Sequence, residues 1–499
     1  MNEPQCRPLG PALLIGLCTT ALALVALGLQ TLSSDAYWWH VAIGEAIWSW
    51  QLIPDEQLFL FTLPTDEPWV YTSWLGQLLI FGLHQAAGAE LSLLMRNVIA
   101  ALSVGLIAYY SSRRADPLIA IFAPALVALA CFLFFASVEP AMFTVVPVTL
   151  LVAAGFLLFE RPERFWPAFF LPGVVLVVIN FDFASAVASI FIALVVAGEL
   201  LRRSGSAEHP KRVVISAAIS ALSVPALFGF AYAPPYWSQS VASTFALPSQ
   251  WYAASVIIPV ILTVAVVALL FQIDNERLPA SRHSLAVLVC GTALLALVAP
   301  STLLVFAITT AFVLCAPVAA LVDQHSLHRP SATTLAIALI VLGAIAITVQ
   351  PGTPTRAPIL TTLHSDVRTE PPLAGTMHAD LPLRCAEELR RTGTTLRVFH
   401  APEHAGFIMH HIFRADQPQP LLFDDHRDLT DPELQAIAEL LRTEPIARGH
   451  FQQLGITAAV VDRERYATLV EELNEAPEWH DLRPDRDEPN ACFLRVDGP

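Results

Sequence analysis

The stretch AMFTVVPVTLLVAAGFLLF (141–159) contains no charged residue. Four residues with three charges, Arg161 to Arg164, come after it, and a second apolar stretch follows, WPAFFLPGVVLVVINFD (166–182). A helix needs about 20 apolar residues to cross a hydrocarbon core of roughly 30 Å. Backbone polar groups in lipid must be satisfied within their own segment, so both stretches are predicted to be membrane-spanning helices.

The same pattern recurs over the first 350 residues. The whole chain is 14% charged, against roughly 25% for a soluble protein. With the two stretches above, we predict about eleven spans, the others being 11–30, 91–111, 117–136, 184–201, 213–232, 253–272, 283–299, 302–321 and 333–350. The fold class predicted is an α-helical polytopic membrane protein with interfacial helices and a small C-terminal α/β soluble domain.

The orientation follows from where the basic residues lie. Arg-containing loops alternate regularly with hairpins that carry almost no Lys or Arg, and basic loops face the cytoplasm. These basic loops are Arg113-Arg114, Arg161 to Arg164, Arg202 to Arg212, Arg277 to Arg282, and His325 to Arg329. We therefore predict a cytoplasmic N-terminus and an extracytoplasmic C-terminal domain. The apolar stretch 73–87 then cannot cross and must lie at the outer interface or re-enter.

The chain is predicted to have three parts. Residues 1–350 form the membrane domain, which includes a first external loop at 31–90. A Pro- and Thr-rich linker follows at 351–375, and residues 376–499 form the soluble domain. In that domain, helices are predicted at 380–392, 431–453 and 465–475, and strands at 396–401, 420–425, 456–462 and 491–496. The alternation of strands with helices favours a mainly parallel sheet.

Composition excludes some partners and leaves other questions open. A net charge of -15 argues against nucleic acid, because a polyanion binder needs a basic face. The single lysine, Lys211, among many arginines favours a GC-rich bacterial source, and thus the bacterial inner membrane. Cys385 and Cys492 either form a disulfide or remain two free thiols.

Two groups of motifs carry a family resemblance. The first is SDAYWWHVAIGEAIWSWQLIP (34–54), with EPWVYTSWLGQLL (67–79) and Arg96 further on. The second is AGFIM (405–409) followed by FDDHRDLTDPE (423–433). Together they resemble bacterial multispan proteins of glycosyltransferase class C type, distant relatives of protein O-mannosyltransferases. The resemblance extends, in order, over nearly the whole chain.

This resemblance implies a role for Asp35, and two other charged residues are candidates to act with it. It identifies Asp35 with the acidic residue that acts as a general base on the acceptor or binds a divalent metal. Arg96 is a candidate to stabilise a polyprenyl-phosphate leaving group, since an Arg within a membrane is costly. Asp182, at an external hairpin tip, is a candidate second acid or metal ligand. The alternatives are a helix-start cap for Asp35, snorkelling for Arg96 and a hairpin turn for Asp182.

Further candidates surround these three. Trp38, Trp39, His40 and Asn180 are predicted to bind substrate, although an aromatic belt at the membrane surface also explains the two tryptophans. In the soluble domain, Asp424, Asp425 and Arg427 follow a predicted strand, where α/β sheets place ligand groups. That cluster would bind a sugar or Ca²⁺, or else form a structural ion pair.

The family pattern also breaks at several polar positions. Gln57, Thr72-Ser73 and Ala299-Pro300 stand where the family carries other polar groups, and Glu139 stands where an Arg is common. Two functions therefore remain: transfer of a sugar from a polyprenyl-phosphate lipid to an external acceptor, or a catalytically inactive protein that binds or assembles envelope components. Nucleotide-binding fingerprints are missing, which favours a lipid-linked donor over a nucleotide sugar. A secondary transporter is disfavoured because no internal repeat is seen.

Overall fold

The structure is a computed structural model of the whole chain. It describes fourteen ranges of residues: 9–27, 35–55, 71–114, 138–161, 166–203, 210–226, 253–275, 278–299, 302–324, 382–392, 396–400, 404–412, 448–482 and 490–496. Helices dominate these ranges, and the only strands in them belong to one small sheet near the C-terminus. The predicted fold class, a polytopic helical membrane protein with a small α/β domain, is confirmed.

The chain divides into two compact units. Unit 1 comprises Met1–Thr31, Leu91–Ala136 and Pro140–Leu363. Unit 2 comprises Leu32–Glu90, Ser137–Glu139 and His364–Pro499. The sequence analysis treated the first external loop and the C-terminal domain as separate parts, and did not predict that they would fall in one unit.

The first three helices are α1 (Leu9–Leu27), α2 (Asp35–Trp50) and α3 (Trp74–Arg114). After a 3₁₀ turn at Pro140–Thr144, seven helices follow in the described part of unit 1. They are α4 (Val145–Glu160), α5 (Trp166–Val178), α6 (Phe183–Arg203), α7 (Pro210–Ser223), α8 (Ala253–Gln272), α9 (Arg282–Val298) and α10 (Leu303–Gln324).

Among the described residues, three helices are long and apolar enough to cross a membrane. They are Trp74–Arg113, Pro140–Glu160 and Phe183–Arg203. Shorter apolar helices fall at five more of the predicted spans. The predicted spans 117–136 and 333–350 lie outside the described residues.

Helix α3 bends where the sequence analysis expected a separate interfacial segment to end. Ala87 and Gly88 leave the helical conformation, and Gly88 has a φ of 72°, a region that favours glycine. The predicted stretch 73–87 therefore forms the part of α3 before this kink. The predicted span 91–111 forms the part after it.

Unit 2 carries the remaining elements, which build the C-terminal domain. Its helices are α11 (Leu383–Arg391), α12 (Ala405–Ile412), α13 (Arg448–Leu454) and α14 (Ala467–Glu475). Its strands are β1 (Val398–His400), β2 (Ala458–Asp462), β3 (Trp479–Asp481) and β4 (Asn490–Arg495).

The sheet has the order β1-β2-β4-β3, and its arrangement corrects the sequence prediction. Only β1 and β2 are parallel, with Val398 opposite Ala458. Both β2 and β3 run antiparallel to β4. A mainly parallel sheet was therefore wrong for the described strands, because the short β3, which the sequence did not reveal, lets the chain return through β4 without a crossover helix. The predicted strand 420–425 lies outside the described residues.

One face of this sheet is covered by an apolar core. Phe399, Phe451, Val461, Leu473 and Phe493 are among its fully buried members. On the question of a disulfide, Cys385 and Cys492 are both buried and are not joined to each other by a disulfide.

Candidate functional site

The predicted site residues are distributed over both units. Asp35, Trp38, Trp39 and His40 lie on α2 in unit 2, and α2 begins at Asp35. Arg96, Asn180 and Asp182 lie in unit 1. Each group of residues is therefore described within its own unit. The soluble-domain cluster Asp424, Asp425 and Arg427 falls outside the described residues.

Helix α2 is buried on nearly all sides within unit 2. Tyr37 is 0% exposed, Trp38 2% and Trp39 5%. Val41, Ala42 and Ile43 are also buried. A surface amphipathic helix would show one polar face, so α2 is built as a packed element of this unit.

Aromatic rings enclose Trp38, and most of them come from α12. The Trp38 ring stacks on His410 with centroids 5.0 Å apart, and Phe407 meets it edge-on at 5.4 Å. The His411 ring lies 5.5 Å away. From α3, His84 meets Trp38 edge-on at 5.4 Å. Trp38, predicted to bind substrate, thus packs against side chains of its own chain.

Helix α2 approaches α3 very closely on another side. A Cβ added at Gly44 would collide with the carbonyl oxygen of Gln77 and lie 2.6 Å from Phe81 Cβ. Two polar contacts join the same helices: Tyr37 Oη lies 2.7 Å from His84 Nδ1, and Gln77 Nε2 lies 3.4 Å from His40 Nδ1. His40 is thus placed beside an amide of its own unit.

The histidines of α12 lie in a poorly solvated environment. Glu45 Oε2 is 3.4 Å from His410 Nδ1, an ion-pair distance that is long for a hydrogen bond. Among the described residues, His411 Nε2 is buried without a hydrogen-bond partner. Burial, and then the nearby His410, Arg390 and His84, lower the pKa of His411 to about 3. His411 is therefore neutral at physiological pH.

Arg96 is completely enclosed within unit 1. Arg96 is 1% exposed. Its Nε and Nη2 both donate to the side-chain oxygen of the adjacent Asn97, at 3.1 and 2.9 Å. A buried guanidinium is costly unless it is well satisfied. This geometry differs from snorkelling, in which the charged group reaches the water.

Asn180 and Asp182 lie at the turn between α5 and α6. The Asp182 carboxylate accepts hydrogen bonds from the backbone N–H of Ser185, at 2.9 Å, and from the Ser185 hydroxyl. Asp182 precedes the first residue of α6, so it is the N-cap of that helix. Asn180 Nδ2 donates to the carbonyl oxygen of Leu176 at 3.3 Å. Both side chains therefore have local structural roles, and their predicted functional roles stay predictions.

Sequence reasoning missed the histidines around Trp38. The dipeptide His410-His411 directly follows the motif AGFIM (405–409), and His84 lies in the apolar stretch 73–87. No local signal shows that these positions meet, because the contact joins segments from opposite ends of the chain. Among the described residues, no group of three or more His, Cys, Asp or Glu side chains is arranged to hold a metal ion.

Comparisons with known proteins show a likeness of fold. No family model matches the sequence, and no curated protein matches it. The chain is similar to the crystal structure of the Archaeoglobus fulgidus oligosaccharyltransferase in its apo form, with a TM-score of 0.54 and 10% identity, over 90% of this chain and 70% of that chain.

A second solved structure is ArnT from Cupriavidus metallidurans bound to undecaprenyl phosphate. Its TM-score is 0.49 at 10% identity, over 97% of this chain and 99% of that chain, which is too low to establish a shared fold. The likeness to the oligosaccharyltransferase shows the fold alone, and this fold agrees with the one that the motif resemblance implied.

Proposed function

We propose that this chain, which has the fold of the class C glycosyltransferases, transfers a sugar from a polyprenyl-phosphate lipid to an acceptor on the non-cytoplasmic side of a bacterial inner membrane. The observation that carries the proposal is the fold likeness over 90% of the chain, to a protein that is itself an oligosaccharyltransferase. The motif that begins α2 supports it, because the resemblance assigns the catalytic carboxylate to Asp35, the first residue of that helix.

The chemistry needs a base and a stabilised leaving group. An acceptor hydroxyl that attacks the anomeric carbon must lose a proton, and the Asp35 carboxylate is the group proposed to take it. Displacement with inversion then leaves a polyprenyl phosphate, whose negative charge Arg96 is proposed to stabilise. Asp35 would alternatively bind a divalent metal that activates the acceptor or the phosphate.

The direct test compares two substitutions at Asp35. Cells that lack the gene are complemented with the native chain, Asp35→Asn or Asp35→Glu, and their envelope glycans and glycoproteins are examined by mass spectrometry. We expect Asp35→Asn to abolish the product at unchanged protein level, and Asp35→Glu to retain a part of it. Full product with Asp35→Asn would refute the assignment. In washed membranes, loss of transfer with a chelator, restored by a divalent metal, would favour the metal role over the base role.

The proposed orientation can be tested by labelling single cysteines. In a cysteine-free chain, one cysteine replaces Glu471, an exposed residue of α14, or Lys211, an exposed residue of α7 on a predicted cytoplasmic loop. A membrane-impermeant maleimide added to intact spheroplasts should label the first and spare the second. The reverse pattern would place the C-terminal domain in the cytoplasm and overturn the proposal.

A second candidate function is a catalytically inactive binding or assembly protein. The N-cap role of Asp182 favours it, because a carboxylate that holds a helix terminus is less available as an acid or a metal ligand. Gln57 and Glu139, which depart from the family pattern at polar positions, also favour an inactive protein. This function predicts that loss of the gene alters the envelope, and that complementing those cells with the Asp35→Asn variant restores the envelope fully.

A further inference from the structure

The C-terminal domain contacts the helix that carries the proposed catalytic carboxylate. Within unit 2, α12 packs against α2, although most of the chain separates them in sequence. The contact is fully enclosed at its centre, where Phe407 is 0% and Trp38 2% exposed. Trp38 lies one helical turn after Asp35. Any shift of Trp38 therefore moves the N-terminal end of α2.

Helix α2 is held from two directions. On one side, Gly44 allows a backbone approach to α3 that no larger residue would permit. On the other, the rings of Phe407, His410 and His411 form a clamp around Trp38. The α3 contact fixes the middle of the helix, and the clamp fixes its first turn. A proton on the ring of His411, whose Nε2 is buried without a hydrogen-bond partner among the described residues, would bury an unpaired charge beside these rings.

The charged and titratable groups around the clamp determine its response to acid. They are Tyr37 and Glu45 on α2, His84 on α3, and Arg390 on α11. The His84 and His410 rings lie 5.4 Å apart, and the His410 and His411 rings 5.0 Å apart. Protons on these rings would place like charges together beside Arg390, with Glu45 as the counter-charge.

We propose that His410 and His411 are positioning residues that hold the first turn of α2 through Trp38, and that this hold weakens when the ring of His411, whose Nε2 is buried, takes a proton. The catalytic role of Asp35 rests on the proposed function, whereas the packing of the clamp around Trp38 does not depend on it. In this view the C-terminal domain is a supporting part of the active site, and acid on the non-cytoplasmic side would loosen it.

The test follows hydrogen exchange of the α2 amides in the full chain, in detergent micelles, at pH 7.5, 6.5 and 5.5. Rates are corrected for the intrinsic pH dependence of amide exchange. The double variant His410→Phe/His411→Phe keeps an aromatic ring at both positions, but neither new ring can take a proton. His480→Phe, the same change at an exposed histidine of β3, is the matched control.

We expect protection of α2 in the native chain to fall by roughly fivefold between pH 6.5 and 5.5, as proton linkage to His411 requires. The double variant should lose clearly less protection than the native chain, with His84 as the remaining histidine beside Trp38, and His480→Phe should behave like the native chain. Trp38→Ala should lose protection at every pH. Equal acid loss in the native chain and the double variant, or none in the native chain, would overturn the proposal. If the double variant does not fold, His411→Phe alone should show a reduced acid loss.

Activity separates this inference from the proposed function. If transfer is established, the acid limb of the kcat profile should move to lower pH in the double variant while KM changes little. If Asp35→Asn keeps full activity but the exchange results hold, the clamp is real and the catalytic assignment is wrong. If Asp35→Asn is inactive but the exchange of the α2 amides does not change with acid, the proposed transferase function stands and the proposed clamp is wrong.

Discussion

Two buried clusters of polar side chains, one in each unit of the molecule, satisfy their charges in opposite ways. In unit 1, the carboxylate of Glu199 is 0% exposed and accepts hydrogen bonds from Arg202, Arg203, Ser281 and Ser284. In unit 2, the histidines around Trp38 bury nitrogen atoms beside aromatic rings. The first cluster keeps a full charge inside the protein, and in the second the ring of His411 stays neutral.

The difference indicates what each cluster contributes. A buried ionised group that is fully paired fixes the elements that supply its partners. Glu199 thereby connects α6 to Ser281, the N-cap of α9, and Arg203 adds bonds to the carbonyl oxygens of Phe159 and Pro279. These contacts join segments next to predicted cytoplasmic loops. A neutral cluster contributes packing instead, and it depends on pH.

The largest expected effect comes from removing the carboxylate of the paired cluster. Glu199→Ala leaves two guanidinium groups and two serine hydroxyls without their shared acceptor. We expect it to lower the free energy of unfolding by about 3 kcal/mol, measured by denaturant titration in detergent micelles. Asp274→Asn, at an exposed carboxylate of the same unit, should change it little. A small loss for Glu199→Ala would mean that this cluster does not anchor unit 1.

The next effect tests the backbone approach beside the histidine cluster. Gly44→Ala places a Cβ 2.6 Å from Phe81 Cβ, so α2 and α3 must separate. We expect a cost of about 2 kcal/mol in the opening free energy of unit 2, from hydrogen exchange. Gly82→Ala is the matched control, because a Cβ there meets no atom within 4 Å. It should be neutral or stabilising by up to about 1 kcal/mol.

A third effect sharpens the contrast between a paired and a neutral cluster. The pKa of His411 is about 3 in the folded chain and near 6.5 when unfolded, so the unfolded state binds the extra proton between these values. The stability that neutral His411 supplies is complete above pH 6.5 and falls as the pH drops, by up to about 1.4 kcal/mol per pH unit.

The measurement is the opening free energy of unit 2 at pH 7.5, 6.5 and 5.5, from hydrogen exchange of the β2 amides. The native chain should lose stability below pH 6.5 with a steeper slope than His411→Phe. Parallel slopes would show that His411 does not titrate as its burial requires. The amides of α6 in unit 1 report whether the acid response is confined to unit 2.

The sequence predicted the membrane class well and the contacts of the site poorly. Length and hydropathy are properties of each segment, so the helices α4 and α6 could be placed within a few residues of their observed ends. The end of the apolar stretch 73–87, which lies at the α3 kink, was likewise placed from hydropathy. The Trp38 clamp and the Glu199 cluster depend on which distant segments meet, and periodicity does not encode that. The strand β3 was missed because three residues are too few to show a pattern.

The smallest expected effect decides between two roles of one candidate residue in unit 1. As the N-cap of α6, Asp182 needs only an oxygen that accepts from the Ser185 backbone N–H. Asp182→Ala should therefore lower the unfolding free energy by about 1 kcal/mol, and Asp182→Ser, which can still cap, should restore most of it. Restored stability with restored activity would mean a structural cap, whereas restored stability with activity still lost would show that the carboxylate itself is needed. That second outcome would return Asp182 to the proposed catalytic group with Asp35.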